Sequence, residues 1–205
     1  INSVRLFNNY KYLICFLMIA FCVFLHIFVY RMFKKNWTIE KIFLFIAIPL
    51  GLAYMIIVPI GRVPDELNHY YRAYDISRGN IFSKKIDKKS MGNIMPDNIS
   101  DVINTGTKYY DESTNIKVKD SKTTKKANFS NTAIYAPIVY LPQAIGILIG
   151  NIFNAPILIK ALLGRLCNYI LFLVLMFYSI KLMPFKKYSV FAVLLLPILI
   201  QQSAS

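Results

Sequence analysis

The residues best suited to chemistry lie in one run, Gly61-Arg62-Val63-Pro64-Asp65-Glu66-Leu67-Asn68-His69-Tyr70-Tyr71-Arg72-Ala73-Tyr74-Asp75-Ile76-Ser77-Arg78-Gly79. Pro64 suits the first position of a helix, the adjacent carboxylates suit its first turn, and Gly79 suits its end. On that helix Asp65, His69 and Arg72 stand at i, i+4 and i+7 and share a face, while Leu67, Tyr71 and Tyr74 make a different, apolar one. Glu66 and His69, three apart, are neighbours as well. Two carboxylates and an imidazole so placed can act as a general base or hold a divalent cation, with Asp65, Glu66 and His69 as the ligands. That cation would be Mg²⁺ or Mn²⁺, hard ions matched to carboxylate and phosphate oxygens. The forked guanidinium groups of Arg62 and Arg72 suit a phosphate beside them. The acidic pair also has a purely structural use, since a negative charge at a helix N-terminus contributes about 0.3–1 kcal/mol.

A second cluster is Tyr135-Ala136-Pro137-Ile138-Val139-Tyr140-Leu141-Pro142-Gln143, followed by Lys160, Arg165 and Asn168. Tyr135 by itself reads as an interfacial aromatic. Arg165, opening an apolar helix, either snorkels to the interface or faces a phosphate at the leaflet boundary.

The elements that must position these residues belong to a membrane. The 205 residues are 56% hydrophobic, 15% aromatic and only 17% charged, with a mean hydropathy of +0.47. Soluble domains are about 45–50% apolar and about 25% charged. No charged residue lies between Lys11 and Arg31 or between Lys41 and Arg62, and further uncharged stretches run over Ala127–Ile159 and Tyr188–Ser205. Apolar stretches of about 18 residues or more read as membrane-spanning helices. A soluble enzyme, a disulfide scaffold and a disordered tail are excluded. The first span covers about Tyr12–Met32 and the second about Ile42–Ile60, where Pro49 and Gly51 are positions for a kink.

The net charge of +14 sits largely at the flanks of the spans, at Arg31, Lys34, Lys35 and Lys41 and again at Lys181, Lys186 and Lys187. Cytoplasmic loops carry such an excess. No nucleic-acid partner is implied, because the basic-aromatic modules of such proteins are missing. Cys15, Cys22 and Cys167 lie in apolar runs without metal or redox spacing. The chain opens at Ile1 and stops within an apolar run, which reads as a piece of a longer polytopic protein.

Gly61–Ala133 holds nine of the ten acidic and thirteen of the 24 basic residues. Its middle, Ser83–Asn131, reads as partly mobile, and Lys117–Lys126 as a solvated loop. If Phe33–Lys41 is cytoplasmic, residues 61–133 face outward, since loops longer than about 60 residues escape the positive-inside rule. Ile134–Phe153 either crosses the membrane, so that Ile159–Met183 returns outward with Lys181, Lys186 and Lys187 outside, or is a juxtamembrane or re-entrant helix, the reading that Pro137, Pro142, Gln143, Gly146 and Gly150 favour. A helix from about Leu163 to Lys181 then runs inward and leaves Lys181, Lys186 and Lys187 on the cytoplasmic side. The last apolar run, Val190–Ile200, returns outward and brings Gln201–Ser205 near the clusters above. The expected fold is all-α and polytopic. Residues 1–41 form an additional N-terminal span with a cytoplasmic turn, and residues 42–205 form part of a membrane domain whose external loop covers about 61–160.

Val63-Pro64-Asp65-Glu66-Leu67-Asn68-His69-Tyr70-Tyr71-Arg72-Ala73-Tyr74 with Gly79 resembles the opening signature of a family of bacterial predicted membrane proteins, domain of unknown function family 2142. Tyr135-Ala136-Pro137, Tyr140-Leu141-Pro142-Gln143, Gly164-Arg165-Leu166-Cys167-Asn168 and Pro197–Ser205 match later parts of that pattern, so the resemblance runs from about Glu40 to Ser205. The family in turn looks like the C-type (GT-C) glycosyltransferases, multi-span enzymes that use polyprenyl-phosphate sugars. That resemblance implies a GT-C-like membrane domain in the plasma membrane, with juxtamembrane helices in its external loop. It implies Asp65 and Glu66 as catalytic carboxylates, and His69, Arg72, Tyr140, Gln143, Arg165 and Asn168 as substrate-binding residues. It further implies a polyprenyl-phosphate-linked sugar as donor, an envelope glycan or glycolipid as acceptor, and the lipid bilayer as partner. The competing expectation is a non-enzymatic carrier or assembly component of envelope polysaccharide export, in which Asp65 and Glu66 only cap a helix.

Overall fold

The computed structural model describes residues 16, 19, 20, 23, 24, 26–32, 34–105 and 117–204. The expected span Tyr12–Met32 therefore lies partly outside the described residues, as do Cys15, Cys22 and Ser205. The described residues between 16 and 34 are helical up to Lys34, and Phe28 stacks on Phe45 of the next helix with ring centroids 4.6 Å apart.

Helix α1 (Ile39–Ile57) begins after Thr38, carries Glu40 in its first turn, and continues through Pro49. It ends just before Val58-Pro59, where the proline lacks the N–H that another turn requires. Helices α1 and α6 (Ile157–Leu182) are the two described helices long and apolar enough to cross a membrane. They run antiparallel. Ile180 packs with Phe43 and Ala47, the Tyr169 hydroxyl donates to the Ala47 carbonyl at 2.5 Å, and Arg165 reaches the Val58 carbonyl at 2.8 Å. Gly51 makes this approach possible, because a Cβ there would lie 2.0 Å from the Tyr169 ring.

Between these helices stands a folded layer. Helix α2 (Glu66–Ser77) closes with its last carbonyls satisfied by Gly79 and Asn80, whose N–H groups donate to Ile76 and Asp75; Gly79 supplies the left-handed φ of +88° this ending needs. A three-stranded antiparallel sheet follows, ordered β1 (Lys84–Lys85), β2 (Met91–Pro96), β3 (Thr124–Asn128). Its register pairs Gly92 with Asn128 and Met95 with Lys125. The fold is thus mostly helical rather than all-α. Strand β2, with Gly, Asn and Pro among its six residues, has little intrinsic strand preference and is formed by long-range pairing.

Helix α3 (Ile99–Thr105) contributes Ile99, Val102 and Ile103 to a core that also contains Ile60, Tyr70, Tyr74, Met95, Phe129 and Tyr140. The segment read as a solvated loop, Lys117–Lys126, is instead docked. The Val118 carbonyl accepts from the Ile157 N–H at 2.9 Å, Asp120 pairs with Lys160 at 2.7 Å, and its end forms β3.

After α4 (Ser130–Ala133), a 3-10 turn (Pro137–Tyr140) leads into α5 (Leu141–Ile152). The four-residue turn and twelve-residue helix fall short of the roughly 20 residues a span requires. Gly146 and Gly150 do not break α5. They are the seam against α6, where a Cβ on Gly146 would lie 2.2 Å from the Leu163 carbonyl oxygen. Helices α7 (Lys187–Leu194) and α8 (Pro197–Ser203) then run back along α1 and α6, separated at Leu195–Leu196 where Pro197 starts a new helix. Asn168 donates to the Ser203 carbonyl at 3.3 Å, so the end of the described chain reaches the same level as Arg165.

Candidate functional site

The site begins where α1 ends. Gly61 adopts φ +87° against the Ile103 carbonyl, and a Cβ there would lie 2.0 Å from that oxygen. Asp65 is also left-handed, at φ 59°, in a region that Asp enters more readily than most residues. It is the residue before α2, so Pro64 stands outside the helix and not at its first position. The Asp65 side chain is exposed and makes no capping hydrogen bond.

Glu66 turns inward. Its Oε2 accepts from the Gly61 N–H at 2.6 Å, and its Oε1 accepts from Arg165 Nη2 at 2.5 Å and Nε at 3.0 Å. Arg165 is 1% exposed and also donates to the carbonyls of Val58 at 2.8 Å and Pro59 at 3.4 Å. Its guanidinium is buried against protein groups and does not snorkel. It is a strut that ties α6 to the end of α1 and the start of α2, and it fixes the Glu66 carboxylate. Sequence pattern cannot show this pairing, since the two residues lie 99 positions apart.

A cleft of about 340 Å³ opens beside this strut, lined by Val63, Pro64, Glu66, His69, Tyr135, Val139, Tyr140, Gln143, Asn168 and Gln202. Five of the expected residues therefore converge: Glu66, His69, Tyr140, Gln143 and Asn168. Asp65 stands exposed between two lining residues, Pro64 and Glu66. Arg72 and Arg165 do not line the cleft. Arg72 is buried and donates to Ser83 Oγ at 3.0 Å and to the Ile81 carbonyl at 2.9 Å, so it holds the chain leaving α2.

His69 Nδ1 and the Tyr140 hydroxyl are 3.0 Å apart, a hydrogen bond that either imidazole tautomer satisfies. Burial holds the His69 pKa below its ordinary 6.5, against the opposing pull of Asp65 and Glu66, so the ring is neutral at pH 7. Burial pushes the Tyr140 phenol up to about 12, which keeps its proton in place. The pair gives the cleft one neutral polar edge. Deeper in the layer, burial raises the Asp75 carboxyl, which accepts from Asn93 at 2.8 Å and Asn80 at 3.0 Å.

Among the described residues, no three His, Cys, Asp or Glu side chains come together as a metal group. Of the expected ligands, Glu66 is engaged by Arg165 and Gly61, and His69 Nδ1 by Tyr140. A cation bound by all three would share the Glu66 carboxylate with the Arg165 guanidinium, whose positive charge opposes it.

The wall residues Val63, Val139 and Gln202 carry no chemical signal of their own in the sequence, and Pro64 signals only a helix start; the approach of Gln201–Ser205 is signalled by the returning apolar run. A second buried cluster joins Lys160 to Tyr74 and to Asp120, which no sequence motif marks. Tyr74 donates to Asp120 Oδ2 at 2.6 Å, Lys160 donates to the same oxygen at 2.7 Å, and the Lys160 ammonium lies 5.8 Å from the Tyr74 ring centroid.

Residues 48–205 match the family described as Predicted membrane protein (DUF2142). The chain belongs to that family. No curated protein and no solved structure matches it. Membership makes this a membrane protein in contact with the lipid bilayer, and α1 and α6 are the described helices fit to cross that bilayer. The DUF2142 match begins within α1 and contains every residue that lines the cleft.

Proposed function

We propose that this chain is part of a GT-C-like membrane glycosyltransferase that moves a sugar from a polyprenyl-phosphate donor to an envelope acceptor at the outer face. The observation that carries the reading is the convergence of Glu66, His69, Tyr140, Gln143 and Asn168 on one cleft at the ends of two apolar helices. A lipid-borne donor reaches such a place with its chain in the membrane and its sugar in the cleft. The acceptor hydroxyl attacks the anomeric carbon, a C–O bond forms, and the bond to the lipid phosphate breaks with inversion. The phosphate leaves with the electron pair, and the hydroxyl proton passes to a carboxylate.

Asp65 is the carboxylate free to take that proton. Its side chain is exposed and makes no capping bond, whereas both oxygens of Glu66 are held by Arg165 and the Gly61 N–H. Glu66 then positions the loop, and the Tyr140, Gln143, Asn168 and His69 side chains offer hydrogen bonds to sugar hydroxyls or phosphate oxygens. Multi-pass insertion with residues 61–133 outside follows from the basic residues at the opposite ends of α1 and α6. Mg²⁺ or Mn²⁺ dependence is read by running the same assay with a chelator and with each ion restored. The test is transfer from a short-chain polyprenyl-phosphate sugar by the full-length protein. Inactivity of both Asp65→Asn and Asp65→Ala with normal membrane insertion supports the reading, and full activity in both removes Asp65 from the mechanism.

The non-enzymatic carrier has one observation in its favour. Arg165, Arg72 and Lys160 are all engaged by protein groups, as in a structural joint.

A further inference from the structure

The opposite end of the two long helices holds a second cleft, of about 410 Å³, lined by Asn36, Trp37, Thr38, Ile39, Glu40, Lys187 and Tyr188. It is built where the turn before α1 meets the start of α7. Asn36 and Lys186, at φ 57° and 56°, make the two left-handed bends that bring these segments together. Lys34, Lys35, Lys41, Lys181 and Lys186 are exposed around it, and Lys187 lines it. Glu40 is the acid at this end, and Lys187 and Lys181 act on it electrostatically. Lys187 also donates to the Lys181 carbonyl at 3.2 Å, which anchors its ammonium at the edge of the cleft.

Trp37 and Tyr188 are exposed aromatics beside the cleft, the residue types that settle at the headgroup level of a bilayer. On the adjoining side of the first turn of α7 is an apolar groove of about 300 Å³, lined among others by Met183, Phe185, Val190, Val193 and Leu194. A cleft holding one ammonium and one carboxylate, flanked by five exposed lysines, with aromatic edges and an apolar groove beside it, has the charge and polarity of one ligand class.

We infer that this cleft binds the headgroup of an anionic phospholipid, with its phosphate toward Lys187 and the flanking lysines and its acyl chains along the apolar groove. The site is independent of the sugar chemistry at the other end. Each lysine near such a surface contributes roughly fivefold to binding, so neutralising three removes on the order of a hundredfold.

The experiment is native mass spectrometry of the full-length protein released from mixed phosphatidylglycerol and phosphatidylcholine bilayers. Wild type is expected to retain phosphatidylglycerol preferentially. Lys35→Gln/Lys186→Gln/Lys187→Gln is expected to lose that preference, and a control with Lys84→Gln/Lys85→Gln/Lys126→Gln, in the polar loop, is expected to keep it. Equal retention of the two lipids by wild type, or equal loss in the control, overturns the proposal. Displacement of phosphatidylglycerol by millimolar inorganic phosphate also overturns it, because the cleft would then be a site for free phosphate. A separate thermal-unfolding scan of the triple variant shows whether it is folded; if it is not, the single Lys35→Gln variant must still lower the preference severalfold or the proposal fails.

Discussion

At the scale of single residues, the site separates two adjacent carboxylates by environment. Glu66→Gln leaves the Arg165 guanidinium buried without its counter-ion, and breaking such a pair costs about 3–5 kcal/mol. We expect a large fall in thermal stability in detergent, with lost activity as its consequence. Asp65→Asn keeps a side chain that tolerates the left-handed backbone, so its melting temperature should stay within a degree or two while transfer is lost. Asp65→Gly relieves that backbone by about 1 kcal/mol and should melt higher than wild type while equally inactive.

His69 makes a pH prediction. Its folded-state pKa lies below 6.5, so the unfolded chain takes up the proton first as pH falls. Its stabilising contribution is present above pH 6.5 and is lost on descending from there through the folded value. Unfolding curves between pH 7.5 and 5 should show this slope in wild type and a shallower one in His69→Gln. The chemistry-bearing types around Asp65 were legible because they are contiguous. The engagement of Arg165 was not, because its partners Glu66, Val58 and Pro59 are all distant in sequence.

Among the elements, α2 was legible from its Gly79 stop and its acidic start, with Pro64 displaced outward by the left-handed Asp65. Helix α5 is shorter than a span requires, and the glycines of Ile134–Phe153 serve close packing and not interruption. Gly146→Val places side-chain atoms against the Leu163 backbone, which cannot yield as a flexible side chain can. Overpacking of this kind costs about 1–3 kcal/mol. Because Tyr140 and Gln143 sit at the start of α5, that variant should lose both melting temperature and donor binding. Strand pairing in the polar loop left no local trace, since β3 is Lys-rich and exposed at most positions and β2 lacks alternating apolar residues. Asp120 and Lys160 add an ion pair to the docking of that loop. Asp120→Asn strands a buried ammonium and should destabilise by about 3–5 kcal/mol, whereas the double variant Asp120→Leu/Lys160→Met, which removes both charges, should cost much less.

For the whole molecule, the antiparallel α1 and α6 put the cleft lined by Glu66 at one end and the cleft flanked by lysines at the other. The uncharged stretches made these helices legible, and the flanking lysines gave their expected orientation. The mutual placement of the two clefts came only with the three-dimensional packing. With the native cysteines replaced, Asn131→Cys should react with a membrane-impermeant thiol reagent in intact cells, and Lys35→Cys only after permeabilisation. The central claim is that the cleft beside Asp65 handles a lipid-phosphate sugar. Its most direct test is transfer of labelled sugar from a short-chain polyprenyl-phosphate donor by the purified full-length protein and its Asp65→Asn variant. The account predicts donor binding in both proteins and transfer in wild type alone. Donor binding no stronger than that of a lipid lacking sugar or phosphate, or full transfer by Asp65→Asn, would contradict it.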